Sequence, residues 1–157
     1  MPNETPGVEI HDMLRHIFAL QWELNDYVFE RNGIKGVAAE CLTMEAITQE
    51  AADGKLSVND LPNQWIARYA RALEEELGEL KKDVLWKWWS QDVLDLQNVR
   101  VELVDILHFL ISAMIAAGLT PEKVYDLYRQ KHAVNVRRQD AGYSQATKDE
   151  ADNKGIE

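Results

Sequence analysis

Cysteine occurs once in this 157-residue chain, at Cys41, so no intramolecular disulfide framework can hold it together. The length is nevertheless enough to bury a substantial core without disulfides or a structural metal. Positive charge is scarce as well. Seventeen Lys and Arg stand against 27 Asp and Glu, a net charge of −10, which argues against a large electrostatic footprint for nucleic acid. A local basic cluster can still hold phosphates. No positively charged leader with an apolar centre precedes the first helical pattern, and the expectation is a cytoplasmic protein. The run from Leu103 to Leu119 is at the short limit for a membrane span and carries Asp105 and His108, so no membrane association is expected. Period-2 strand patterns, low-complexity tracts and convincing internal repeats are missing too.

What remains is helical periodicity. Residues 8–31 place Met13, Ile17, Leu20, Leu24 and Val28 on one 3.6-period stripe that stops near Asn32-Gly33, which predicts a first helix facing a core. Val37 to Ala52 reads as a second helix closed by Asp53-Gly54. After a loop from Ser57 to Pro62, a third stripe runs through Ile66, Tyr69, Leu73, Leu77, Leu80 and Val84. Ser90 to Gln97 is a polar connection, and Val99 to Ala117 reads as a buried helix with Gly118 placed as its C-cap. Thr120-Pro121 then starts a last helix that runs to about Arg138. The domain expected is 1–143, with 144–157 a polar and mobile tail.

The chemistry concentrates in carboxylates. Glu102 and Asp105 sit one helical turn apart inside an otherwise apolar run, and a buried carboxylate is costly unless a cation or a full set of donors compensates it. Upstream, Glu76 and Glu79 repeat that spacing on the inward side of the third helix, while Glu75 points nearly the opposite way. Two readings stand: buried salt bridges, or an oxygen-rich cation cage built by two packed helices. With hard oxygen donors and no cysteine or dense histidine cluster among them, such a cage favours Mg²⁺ or Mn²⁺ over Zn²⁺.

Other groups are ambiguous by spacing alone. Lys131, Asn135 and Arg138 line one side of the last helix, either as a phosphate clamp or as an ordinary polar face, and Gly142-Tyr143 adds an aromatic plane. Gln21 and Asn25 share a helix face beside Trp22, either as a pair that reads a base edge or as surface amides. His108 reads as a hydrogen-bonded core histidine in preference to a ligand or base. Trp86, Lys87, Trp88 and Trp89 form core or interface anchors, or a stacking wall with a cation.

The ordered set resembles a known family. Leu20-Gln21-Trp22-Glu23-Leu24-Asn25, then Glu75-Glu76-Leu77-Gly78-Glu79, then Trp86-Lys87-Trp88-Trp89, then Glu102 to Phe109 as ExxDxxHF, then Lys131, Asn135, Arg138, Gln139, Gly142 and Tyr143 together resemble the all-α nucleoside triphosphate pyrophosphatases of the MazG-like superfamily. Within it the dimeric dUTPases and phage dCTP/dUTP pyrophosphatases are the most similar.

That resemblance implies an all-α helical bundle of about five or six helices, assembled as a homodimer. It implies a deoxyribonucleoside triphosphate substrate, most simply dUTP, with dUDP also accepted, hydrolysed to dUMP with release of pyrophosphate or phosphate. The alternative is dCTP or a broader set of nucleotides, and the physiological expectation is removal of an unwanted pyrimidine from the DNA precursor pool. Glu76, Glu79, Glu102 and Asp105 take metal-ligand positions for roughly two or three Mg²⁺ ions per site, with Mn²⁺ as a substitute. Glu75 is placed to orient or deprotonate water, with Glu76 beside it. Gln21, Trp22 and Asn25 line the base pocket; Lys87, Lys131, Asn135 and Arg138 contact phosphates; His108 and Tyr143 are further candidate substrate contacts. Ser90 and His132 depart from the pattern, at positions where a basic residue and an asparagine are usual. A rival of another class is a non-catalytic dimerisation or regulatory module whose acidic pairs are salt bridges.

Overall fold

The computed structural model describes residues 10–54, 56–142, 144 and 150–157, with side chains from Met13 onward. Its regular elements are helical: α1 (Ile10–Arg31), α2 (Met44–Ala52), α3 (Leu61–Asp83), α4 (Leu96–Ala116) and α5 (Pro121–Asp140), with short 3₁₀ turns at Val37–Ala39 and Glu150–Asn153. Among the described residues the one β-type pairing is an isolated bridge between Lys35 and Cys41. The protein is all-α, as its periodicity predicts.

Capping chemistry sets the boundaries. The Thr43 hydroxyl accepts from Ala46 N, so α2 begins at Met44 and not at Val37 as the apolar pattern suggested. Upstream of it the chain forms the Lys35–Cys41 bridge, and Ala38 and Ala39 hold left-handed φ values of 60° and 62° that a helix cannot accommodate. Glu50 Oε2 on α2 accepts from Leu61 N at 2.6 Å, which ties the two helices together and satisfies an end group of α3. Asp95 accepts from Asn98 N, so α4 starts at Leu96, three residues before the expected Val99. Gly118 lies at φ +76°, where a Cβ would also come within 3.3 Å of Ala51 Cβ.

By compactness the chain divides into two units, Met1–Gly118 and Leu119–Glu157. In the first, α3 runs along α4 in the most extensive helix pairing, with α1 and α2 completing the bundle. Phe29, Leu42, Met44, Ile47 and Pro62 are almost fully buried there, and each large apolar side chain so placed stabilises the fold by about 1.5–3 kcal/mol. Phe29 packs on Trp65 at 4.7 Å between ring centres, and Trp65 on Tyr69 at 5.7 Å. In the second unit α5 packs against the 3₁₀ turn at Glu150–Asn153.

Two packing expectations are corrected. The α1 stripe of Met13, Ile17, Leu20, Leu24 and Val28 is exposed; the helix buries Phe18, Gln21, Asn25 and Phe29 instead. Helix α4 buries Ile111, Ser112, Ile115 and Ala116 in its second half, while Val101, Leu103, Val104, Leu107 and Leu110 stay open. The reason in both cases is that polar partners on α1 and α4 find each other, which turns the apolar stripes outward.

Candidate metal centre and nucleotide pocket

Three carboxylates converge where α3 meets α4. Glu76, Glu102 and Asp105 each offer an oxygen within 4.8 Å of the others, all half-buried. The one-turn spacing of Glu102 and Asp105 puts both on the α4 face that meets α3, and Glu76 enters from the opposing helix. Glu102 Oε2 is shielded from solvent and is the one buried side-chain atom, among the described residues, without a hydrogen-bond partner. Such an oxygen asks for a cation. Desolvation, followed by the charges of Glu79, Asp83, Glu76 and Asp105, pushes the Glu102 carboxyl above the usual carboxylate range. Desolvation and the charges of Glu79, Asp105 and Glu75 do the same to Glu76. Hard oxygen donors, mutual repulsion and an orphaned oxygen are the features a divalent cation relieves, so these residues fit one. Glu79 is exposed and stands outside the tight group of three, close enough for its charge to act on both neighbours. Glu75 is exposed on the same helix. Asp83 was not singled out by sequence; it accepts from the Asn98 side chain, and its charge adds to the pressure on Glu102.

One turn beyond Asp105 a second polar cluster connects α4 with α1. Gln21 and Asn25, 5% and 6% exposed, face a fully buried Ser112. Gln21 Nε2 donates to Asn25 Oδ1 at 3.0 Å and to Ser112 Oγ at 2.9 Å, and Asn25 Nδ2 donates to Ser112 Oγ at 3.1 Å. Gln21 Oε1 lies 2.6 Å from His108 Nδ1. A cavity of about 180 Å³ opens beside them, with an almost wholly apolar surface contributed by Ile17, Leu20, Gln21, Val104, Leu107, His108 and Ile111. Trp22 is half-buried. Ser112 is the residue that sequence reasoning missed; its signal was a lone hydroxyl one turn after His108 in an apolar run.

The remaining candidates are scattered. Trp86, Trp88 and Trp89 are exposed and pack edge to face on one another, with Lys87 Nζ 5.7 Å from the Trp86 ring centre, so they are not core anchors. Of the three, Trp86 lines a cleft of about 350 Å³ whose lining also includes Lys81, Lys82 and Lys87. In the second unit Lys131 donates to Asn153 Oδ1 and Arg138 Nε to Asp152 Oδ2 at 3.0 Å, while Asn135 is exposed. Tyr143 lies outside the described residues. A larger cleft of about 710 Å³, between α1 and residues 41–43, is lined by Glu23, Asp26 and Glu30 and by no cation, the wrong sign for a triphosphate.

Fold and site together define an all-α protein with a hard-oxygen cluster shared by two helices and a small, mostly apolar cavity between α1 and α4. The chain belongs to the dUTPase family, whose model matches residues 13–123. The dCTP pyrophosphatase of Enterobacteria phage T4 is 30% identical over 94 residues, 60% of this chain and 48% of that protein. The dCTP pyrophosphatase of Enterobacteria phage LZ5 is 30% identical over 99 residues, 52% and 58% of the two chains. A DNA replication protein of phage T4 is 28% identical over 93 residues, 58% of this chain and 21% of that one. The chain thus spans about half the length of the dCTP pyrophosphatases it matches. No solved structure matches it. Among the described residues no single helix is long and apolar enough to cross a membrane.

Proposed function

We propose that this protein is a divalent-cation-dependent pyrophosphohydrolase of pyrimidine deoxynucleoside triphosphates, with dCTP as its first substrate and dUTP as the second. The observation that carries the reading is the convergence of Glu76, Glu102 and Asp105 around an orphaned, shielded Glu102 oxygen. The two dCTP pyrophosphatases among its relatives support dCTP, and the family description supports dUTP.

Charge explains why a cation is needed. A triphosphate is strongly anionic and the protein carries −10, so binding requires a local inversion of sign. Glu76, Glu102 and Asp105, joined by Glu79, would hold Mg²⁺ or Mn²⁺. When bound, such ions supply Lewis-acid charge to phosphoryl oxygens and lower the pKa of coordinated water. Glu75 is assigned to orienting that water. One water adds across the triphosphate, the bond between α and β phosphates breaks, and nucleoside monophosphate and pyrophosphate leave. Lys87, Lys131, Asn135 and Arg138 are assigned to the phosphates by their motif positions. Gln21, Asn25 and Trp22 are assigned to the base.

The exposed apolar stripes of α1 and α4 are assigned to a homodimer interface, since so many open large side chains on two neighbouring helices are unusual for a lone chain. The test is pyrophosphate release from dCTP, dUTP, dUDP, dATP and dGTP with and without Mg²⁺. Mg²⁺-dependent turnover of dCTP and dUTP above the purine nucleotides is expected; no turnover of any nucleotide would overturn the reading.

A further inference from the structure

We propose that Asp83 and Asn98 are a positioning pair that sets the register of α3 on α4 and so holds the Glu76, Glu102 and Asp105 carboxylates ready for a divalent cation; this rests on the cation-dependent reading above. Along α3, Glu76, Glu79 and Asp83 follow one another at spacings of three and four residues, and along α4 Asn98, Glu102 and Asp105 follow at four and three. At 100° per residue each trio falls within about 60° of one helix face. Two contacts show how these faces meet. Asp83 bonds Asn98, and seven residues back along α3 Glu76 meets Asp105, seven residues on along α4. The helices therefore run antiparallel with the trios in register, and Glu79, whose charge acts on Glu102, occupies the rung between.

Two rungs of this ladder set acid against acid. The third sets an amide against an acid, with Asn98 Nδ2 donating to Asp83 Oδ2. A carboxylate only accepts, so the orientation of the Asn98 amide is settled by its partner. Both members sit on anchored helix ends. Asp83 is the last residue of α3, and Val84 N behind it donates to Leu80 O at 3.0 Å; Asn98 lies in the first turn of α4, where its own N–H donates to the capping Asp95 Oδ1 at 3.1 Å.

Residues 84–95 between these ends carry no helix, so the connection tethers α3 to α4 without setting how far one slides along the other. Sliding by one residue's rise displaces every rung by about 1.5 Å. Mg²⁺ holds its oxygens at about 2.0–2.1 Å in near-octahedral order, so a displacement of that size takes a carboxylate out of reach of a shared ion. In the metal-free protein the acidic rungs repel, and the bond from Asn98 to Asp83 works against that repulsion. Asp83 and Asn98 touch no cation in this scheme. They raise the fraction of molecules whose carboxylates already stand within 4.8 Å of one another, and the apparent dissociation constant rises in proportion as that fraction falls.

The test is Mn²⁺ binding to the metal-free full chain, followed through the free ion by electron paramagnetic resonance, with Tm measured in chelator by circular dichroism. Asn98→Ala, which deletes the bond and leaves all the carboxylates, is expected to raise the Mn²⁺ Kd about three- to tenfold. Asp83→Asn keeps an acceptor for the Asn98 amide and should raise Kd less than Asn98→Ala does. Exchanging the two groups, Asp83→Asn with Asn98→Asp, rebuilds the bond with donor and acceptor reversed and should return Kd to within about twofold of the parent. An unchanged Kd in Asn98→Ala, with or without a lowered Tm, would make the pair a structural link only and sink the proposal. A large loss of binding in Asp83→Asn beside little loss in Asn98→Ala would make Asp83 a cation ligand and overturn the positioning role. Should Asn98→Ala fail to fold, the exchange decides: Kd near the parent supports the pair, and Kd raised tenfold or more refutes it. A parent that binds no Mn²⁺ removes the cation reading and the pair's role with it, whereas a parent that binds Mn²⁺ as tightly as Asn98→Ala removes the pair's role alone.

Discussion

Replacing Asn25 by alanine strikes the centre of the α1–α4 polar cluster and separates its structural from its recognition role. The truncation deletes the acceptor of the 3.0 Å bond from Gln21 and the donor of the 3.1 Å bond to Ser112. Ser112 keeps a donor in Gln21 and an acceptor in the His108 carbonyl, so it is not orphaned. Gln21, 5% exposed, is left with one N–H unpaired, a defect that costs about 1–3 kcal/mol. For a chain of this length that corresponds to a Tm lower by about 2–12 °C. On substrate, loss of one base-reading hydrogen bond lowers kcat/KM for the preferred pyrimidine by about tenfold or more. Thermal unfolding by circular dichroism and steady-state pyrophosphate release give the two numbers. A variant with unchanged Tm and unchanged kcat/KM on dCTP and dUTP would refute the assignment of these amides to both roles.

Other expectations follow from the carboxylates and the open apolar faces. Asp105→Asn should lower turnover by about a hundredfold or more while leaving the metal-free fold as stable as the parent or more so, because it removes one of three mutually repelling groups; a strongly lowered Tm in chelator with intact hydrolysis would favour a salt-bridge role. Because Glu76 and Glu102 hold their protons more tightly folded than unfolded, their contribution is present below the unfolded carboxylate pKa and is lost as pH rises through their raised folded values. Asp60, lowered by the backbone hydrogen bond from Ser57, works in the opposite direction. As pH rises above the unfolded carboxylate pKa, the stability of metal-free protein should therefore decline less in Glu102→Gln than in the parent; identical slopes would contradict the assigned cause. Light scattering at micromolar concentration should return about twice the 18.0 kDa chain mass, and a monomer throughout would leave the apolar stripes without the proposed partner.

The fold was legible because its signals are local. Periodicity and cap signals such as Thr120-Pro121 act within one turn, and they locate the five helices to within a few residues except at α2. That helix starts late because Thr43 caps it and the preceding residues close a bridge between Lys35 and Cys41, a pairing that helical periodicity does not register. The Glu76, Glu102 and Asp105 convergence was legible for a different reason, since i, i+3 carboxylates on two packed helices have few places to point. Which face of α1 is buried was not legible. Apolar content favours Leu20 and Leu24, yet the helix buries Gln21 and Asn25 because Ser112 and His108 satisfy them from a residue distance that no local pattern records. Ser112 escaped notice on the same account: a serine in an apolar helix looks like filler until its two amide donors are seen.

The central claim, that these carboxylates hold a divalent cation, is tested most directly by titrating Mn²⁺ into the metal-free protein and following the free ion by electron paramagnetic resonance, with Glu102→Gln in parallel. Saturable binding by the parent, competed by Mg²⁺ and strongly weakened in Glu102→Gln, is the result predicted. Absence of saturable binding, or equal binding by the two proteins, would contradict it.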